Sequence, residues 1–443
     1  MFQRDGQFFR QINRAGQEDF QAFQENPLSR LLIEQELMLP YQVVNGPPAD
    51  SDLAYCVIKP QQIKFISYPY EWSWGMLRDA ALTTLKIQLL ALDHDFSLKD
   101  ASAFNIQFQS GRPVLIDHLS FTKYRSGRPW IAYRQFCEQF LAPLALMSYR
   151  GTRLGQLLRL YPDGLPLDLA TKLLPAKARL SLGLNLHLYL HARNQKTHAD
   201  KGASTTNKQL TKDRLIALIA NLKTVVEKLK LDSDKSFWSD YYQMTNYSDL
   251  AFQAKQEIVR DYLKKTKGQT VLDLGSNTGV FSELAADLGM ETIALDNDSD
   301  SVERLYRRVR DNNRTNLLPL VINLTNPSPG LGWANTERES FIDRARSDVV
   351  LALALIHHLC IGKNISLEMF SQLLSQLGHW AIVEFVPKSD SQVQRLLRAR
   401  EDIFKDYHLA SFEKAIASRW LIQKQSQVAD SERFIYLLKK KHD

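Results

Sequence analysis

The run VLDLGSNTGVFSELAADLG sets Asp273, Gly275, Ser276, Asn277 and Gly279 between a β-branched apolar run and a helical pattern. A strand-to-helix turn of this kind lets backbone approach a ligand closely and aims the first helical amides at it. Asn277 holds the middle position, where glycine-rich loops commonly repeat glycine, and asparagine tolerates left-handed backbone better than other residues that carry a side chain. Asp296 closes the next apolar run, TIALDND, 23 residues after Asp273, with Asn297 directly behind it. A carboxylate at that place accepts both hydroxyls of a ribose at the carboxyl edge of a sheet. An acidic residue inside the loop repels a pyrophosphate and attracts an amino group or a sulfonium. The loop therefore favours S-adenosylmethionine over NAD.

Further chemistry-bearing residues follow. LALIHHLCI carries Ala354, His357 and His358, and a histidine beside a sulfonium is placed either as general base on an acceptor hydroxyl or amine or as a cap on a buried carbonyl. Glu384 closes the apolar run WAIVEFVPK, where binding of an acceptor amine and structural hydrogen bonding are both open. Upstream, WSDYYQMTNYSDLAFQAKQEIVRDYL reads as a helix closing over the cofactor, and Tyr242, Tyr247 and Lys255 are its candidates for contacting the methionine portion, against a plain core role.

A second constellation lies in HDFSLKDASAFNIQFQSGRPVLIDHLSF, where Asp100, Asn105 and Asp117 follow one another around apolar runs. The order resembles the catalytic loop and metal-binding aspartate of protein-kinase-like and aminoglycoside-phosphotransferase-like folds. Lys59, in YCVIKP, takes the place of a phosphate-pairing lysine in that comparison. No glycine-rich loop precedes Lys59, Leu98-Lys99 replaces the usual histidine pair, and His118 follows Asp117 where phenylalanine is usual. A working phosphotransferase, a degenerate kinase-like domain that helps bind substrate, and chance spacing remain open readings. Tyr70, Glu71, Trp72 and Trp74, followed by Arg78 and Asp79, form an aromatic cluster that suits buried packing or an acceptor pocket.

These residues need elements to hold them. From Lys267 onward, short apolar runs alternate with helical patterns, which predicts βαβ units and a doubly wound, mainly parallel sheet. The last two runs, WLIQKQSQ and RFIYLLKK, are joined by a short turn, VADSE, so they must pair antiparallel at the sheet edge. The first 194 residues read as a separate, helix-rich α+β domain with short strands at 54–58 and 63–66 and a long helix from about Trp74 to Leu92. Residues 195–235 read as a basic linker and connecting helix, and 236–443 as the α/β domain with its lid helix.

Composition agrees. The 443 residues, 44% hydrophobic and 24% charged, suffice for two or three folded domains rather than a disordered chain. Residues 195–230 hold eight basic side chains against three acidic ones, which is most of the net +7. Three cysteines without a CxxC pair argue against a disulfide framework or a structural zinc site, and no metal is expected. The amino terminus is too polar for a signal peptide, so a cytoplasmic protein is expected.

Residues 267–440 resemble the class I S-adenosylmethionine-dependent methyltransferases. The runs NLTNPSPGLGWANTERESF, DVVLALALIHHLCIGKNI, VEFVPKSDSQVQRLL and REDIFKDY are similar to a bacterial group of nodulation-protein-like methyltransferases. The amino-terminal runs YPYEWSWGMLRDAALTTL and GRPWIAYRQFCEQFLAPLAL are shared with it. The resemblance implies a Rossmann-like fold, S-adenosylmethionine as cofactor, and Asn323 and Leu324, after the third strand, as the residues that hold the adenine. Methyl transfer to a small molecule is the expected activity. Methylation of RNA through the basic segment and a bifunctional protein with a phosphotransferase-like first domain are the alternatives.

Overall fold

The computed structural model describes residues 1–193, 211–231, 249–398 and 401–441, which fall into two compact units, Met1–Ser233 and Asp234–Asp443. In the first, β1 (Phe2–Arg4), β2 (Gln7–Asn13), β3 (Tyr41–Val44) and β4 (Ala54–Pro60) form an antiparallel sheet in the order β1-β2-β4-β3. Residues 63–66, expected as a strand, are not one. Their neighbour Ser67 is held by a side chain instead, with both its backbone polar groups bonded to the Gln107 amide at 2.9 and 2.7 Å. The long helix, Trp74–Asp93, starts where the Ser73 hydroxyl accepts the Met76 amide and buries its apolar face through Leu77, Leu85 and Leu92.

After that helix come two small antiparallel ladders. β5 (Phe96–Leu98) pairs with β8 (Phe121–Lys123), and between them β6 (Ile106–Gln109) pairs with β7 (Arg112–Leu115). Of the basic segment, Lys212–Lys228 form a helix that lies along Trp74–Asp93, burying Leu215, Ile219, Leu222 and Val226. Residues 195–210 and 232–235 lie outside the described residues.

The second unit is built on seven strands: β9 (Thr270–Leu274), β10 (Glu291–Asp296), β11 (Leu317–Val321), β12 (Ser347–Ala352), β13 (Gly378–Phe385), β14 (Trp420–Gln427) and β15 (Phe434–Lys440). Their order is β11-β10-β9-β12-β13-β15-β14, with β15 antiparallel to both neighbours. This is the class I methyltransferase fold, with its reversed strand near the edge. A sheet covered on both faces needs nearly continuous apolar strands, and Val271, Leu272, Leu274 and Val349 to Ala352 are all buried. The helix Ser299–Asp311 shows the matching helical period, burying Val302, Leu305, Tyr306 and Val309. The order reverses between β9 and β12, and the loops leaving those two strands at their carboxyl ends form the crevice where such sheets bind ligands.

Candidate functional site

The crevice is built by the glycine loop between β9 and the helix Val280–Asp287. Gly275 (φ 73°), Asn277 (φ 49°) and Gly279 (φ 85°) all hold left-handed backbone, so asparagine does serve where glycine is usual. A Cβ on Gly279 would lie 2.5 Å from the Leu305 side chain, and one on Gly275 3.0 Å from Leu355. The loop is thus wedged between the following helices. The amides of Gly275 and Ser276 both donate to the Leu295 carbonyl at 2.8 Å, which ties the loop to β10.

Two carboxylates flank this loop. Asp273, at the end of β9 and buried, accepts the Ser282 hydroxyl at 2.5 Å. Asp296 closes β10, partly open to solvent, and accepts the amides of Asn277 and Asp298 at 2.8 Å each. Burial raises Asp273 to about 7, with the Ser282 bond opposing it, the like charge of Asp296 adding to it and the Lys255 ammonium opposing it more weakly. Loss of hydration likewise raises Asp296 to about 6, against the pull of its backbone amides. Among the described residues no cation forms an ion pair with either. Each oxygen of Asp296 has accepted one hydrogen bond and keeps a further lone pair. Ser276 Oγ is buried and has no partner among the described residues. A crevice flanked by two carboxylates fits an amino-acid sulfonium and a ribose.

Behind the crevice lies a buried ionic chain. Lys255, on the helix Asp249–Thr266, places Nζ 2.6 Å from Glu384 Oε2. Arg433 holds the other carboxylate oxygen at 3.2 Å and also Asp390 at 2.8 Å. Lys255, Glu384 and Arg433 are each at most 3% exposed. The Lys255 ammonium also sits 4.8 Å from the centre of the Phe281 ring, on the first turn of the glycine-loop helix. Burial pulls the Lys255 ammonium down, and Glu384 opposes that.

The loop after β12 closes the far side. Ala354 is held at φ 50°, a strained conformation for a residue with a side chain, of the kind that clusters at functional sites. His357 is fully buried, and neither ring nitrogen has a partner among the described residues. Its ring lies 4.1 Å from that of His358. Burial, then His358, Arg433 and Lys255, hold His357 well below its ordinary value, and burial and Arg433 bring His358 to about 4. Both imidazoles are therefore neutral at physiological pH, and burial and the neighbouring cations oppose their protonation.

Ile322 donates to the Asp296 carbonyl at 2.8 Å, so Asn323 and Leu324 emerge beside that carboxylate. The Asn323 amide oxygen is engaged locally, by Thr325 N–H at 3.0 Å and its hydroxyl at 2.8 Å. Asn297 is exposed at the rim. Tyr242 and Tyr247 lie outside the described residues. Sequence reasoning missed Arg433, Asp390 and Ser282. A lone arginine abutting the apolar run FIYLL was the available signal for the first.

No family model matches the chain. It is 38% identical over 387 residues to the nodulation protein NoeA of Rhizobium meliloti (strain 1021), an alignment covering 86% of this chain and 81% of that protein. The chain belongs to the NoeA family. Among solved structures, the bifunctional kinase-methyltransferase WbdD aligns over 50% of this NoeA-family chain and 46% of its own, at 16% identity and a TM-score of 0.32. The N-methyltransferase NodS from Bradyrhizobium japonicum WM9 aligns over 44% of this chain and 99% of its own, at 8% identity and a TM-score of 0.33.

In the amino-terminal unit, β5 and β8 bracket the segment that carries Asp100, Asn105 and Asp117, so folding brings the three near one another. Each is already occupied. Asp100 accepts the Ser102 amide at 2.9 Å and the Gln135 amide group at 2.8 Å. Asp117 pairs with the Arg10 guanidinium and accepts the Ser120 hydroxyl at 2.5 Å, while Asn105 reaches that same hydroxyl at 3.4 Å. The cation facing Asp117 is therefore Arg10. Lys59 is not that residue: Arg10 stands opposite Ile58 in the β2–β4 register, and the strand's period of two turns Lys59 to the other face. His118 Nε2 donates to the Leu39 carbonyl at 2.8 Å and the residue is buried. Trp72 and Trp74 bond Ser67 and Ser148 from inside the unit, and with Tyr70 and Glu71 they are buried packing rather than an open pocket.

Proposed function

We propose that the carboxy-terminal unit binds S-adenosylmethionine along the glycine loop and catalyses methyl transfer to a hydroxyl or amine of a small molecule. The observation that carries this reading is the pair Asp273 and Asp296. Two carboxylates flank one loop at the topological switch point, without ion-pair partners among the described residues. When bound there, the cofactor supplies a methyl group on a sulfonium leaving group, so what the protein must add is chiefly placement.

Asp296 is assigned to the ribose hydroxyls, Asp273 and Ser276 to the amino-acid end, and Asn323 and Leu324 to the adenine. Asn297 lies at the rim of the same pocket. Ala354 shapes the wall facing the methyl group. His357 is assigned as the acceptor's hydrogen-bond partner, because a neutral buried imidazole with both nitrogens unpartnered meets a hydroxyl or an amine without competition from water. Glu384, with both oxygens turned to Lys255 and Arg433, is read as a positioning residue that anchors the helix carrying Lys255. Tyr242 and Tyr247 stay candidates for the lid.

The amino-terminal unit is read as a kinase-like scaffold without phosphoryl turnover, on the observation that Arg10 and Ser120 already occupy Asp117. The test is transfer of tritiated methyl from S-adenosylmethionine into extracts of a strain lacking this protein. Label should enter the organic-extractable small-molecule fraction, and His357→Ala should abolish it. Label that enters RNA instead, or persists at full rate in His357→Ala, would overturn the reading.

A further inference from the structure

At the opposite, amino edge of the large sheet, a cleft of about 670 Å³ opens where β12 and β13 begin, β15 ends and β14 starts. The geometry points to a second binding site there, for a small ligand carrying a diphosphate. Arg346, Arg419, Lys440 and Lys441 line the cleft together with His379, and Asp343 is the one carboxylate among the lining residues. Asp343 is already bonded by the Ser340 hydroxyl at 2.5 Å, and the Lys441 ammonium donates to the Ala417 carbonyl at 2.5 Å. Arg346, Arg419 and Lys440 have no ion-pair partner among the described residues.

The topology explains why the cations converge. Ser347 and Gly378 are register partners at the starts of β12 and β13, so Arg346 and His379 flank one sheet end. Trp420 is the register partner of Lys440, which brings Arg419 to the same end from the antiparallel side. Four cations gathered against the single lining carboxylate Asp343, with Asp348 facing His379, keep a net positive charge, and a bound polyanion relieves their repulsion. Guanidinium groups match phosphate oxygens in a planar, bidentate way, and the cleft volume lies within the range of small-molecule pockets. The lining has no tryptophan, tyrosine or phenylalanine on which unpaired bases would stack, which argues for a compact ligand over single-stranded RNA. The site is separate from the glycine-loop crevice and does not depend on the methyl-transfer reading.

The test is calorimetric titration of the full chain with inorganic pyrophosphate at low salt. One site per chain should appear, weakening as salt rises. The double variant Arg346→Ala/Arg419→Ala, both at exposed positions, should weaken it by at least about tenfold, which is about 1.4 kcal/mol. S-adenosylhomocysteine binding should stay unchanged, which also shows that the variant is folded. ADP binding tighter than pyrophosphate would identify a nucleotide as the source, and ribose 5-phosphate binding tighter would identify a phosphorylated sugar. Either supports the site. No binding of pyrophosphate, equal binding in the double variant, or tighter binding of an RNA oligomer through the same arginines would overturn it.

Discussion

The aspartates that spacing singles out are held differently in the two units. In the amino-terminal unit, Asp117 is paired with Arg10 and Ser120, and Asp100 is held by Ser102 and Gln135. In the carboxy-terminal unit, Asp273 and Asp296 are bonded by a hydroxyl and backbone amides, and among the described residues no cation forms an ion pair with either, Lys255 acting on Asp273 only from a distance. A carboxylate neutralised by its own protein is a structural group, whereas one that is desolvated and uncompensated is poised for a cationic ligand. Aspartates at suggestive spacing occur in both units. Their partners, not their spacing, separate a binding site from a scaffold.

The largest effect that would sharpen this contrast comes from breaking the buried ion pair of Lys255 and Glu384. Lys255→Met leaves Glu384 buried with Arg433 alone and should cost about 3–5 kcal/mol of stability in chemical denaturation, as removal of one partner of a buried pair does. Arg10→Met acts on a pair whose side chains are 18% and 15% exposed, where solvent still screens part of the charge, and should cost less, about 1–3 kcal/mol. Equal losses in the two variants would erase the distinction between the units.

Next in size is cofactor affinity. Asp296→Ala should weaken S-adenosylhomocysteine about 10- to 100-fold, the weight of one or two hydrogen bonds to a charged group. Asp117→Asn should leave that affinity unchanged. The reverse result would move the nucleoside site to the amino-terminal unit.

The pH dependence is smaller and has a definite sign. Burial raises Asp273 to about 7 and Asp296 to about 6, so each folded carboxyl holds its proton above its unfolded value. Stability contributed by these groups is therefore present at low pH and declines as pH rises through the folded values. Binding of an amino group prefers the ionised form, so affinity should rise over the same window. His357 and His358 are held neutral in the fold, so unfolding takes up their protons below about 6.5; their contribution rises with pH up to that value, opposite in sign to the carboxyls, and is constant above it. A thermal-shift series with and without S-adenosylhomocysteine checks both signs at once, and a ligand-induced shift that shrinks as pH rises would contradict them.

Much of the second unit was legible in its sequence, because each β-branched run such as TVLDL or DVVLALAL has only one way to be buried on both faces. The short VADSE turn dictated the reversed strand. The glycine loop was legible because Gly275 and Gly279 have little use elsewhere than at tight backbone turns. The ionic chain was not, since Lys255, Glu384 and Arg433 are distant in sequence and meet only when the helix Asp249–Thr266, β13 and β15 pack together. The spacing of Asp100, Asn105 and Asp117 was visible, but Arg10, on a strand at the start of the chain, decides what Asp117 does. That Arg10 rather than Lys59 faces Asp117 depends on a strand register that sequence alone does not display.

The central claim is that the uncompensated carboxylates, and not the compensated ones, make the ligand site. It is tested most directly by titrating one sample of the full chain with S-adenosylhomocysteine and, separately, with magnesium-ATP at about pH 8, where both loop carboxylates are ionised. The account predicts one S-adenosylhomocysteine site per chain, lost or strongly weakened in Asp296→Ala, and no heat from magnesium-ATP. Absence of S-adenosylhomocysteine binding, or magnesium-ATP binding that disappears in Asp117→Asn, would contradict it.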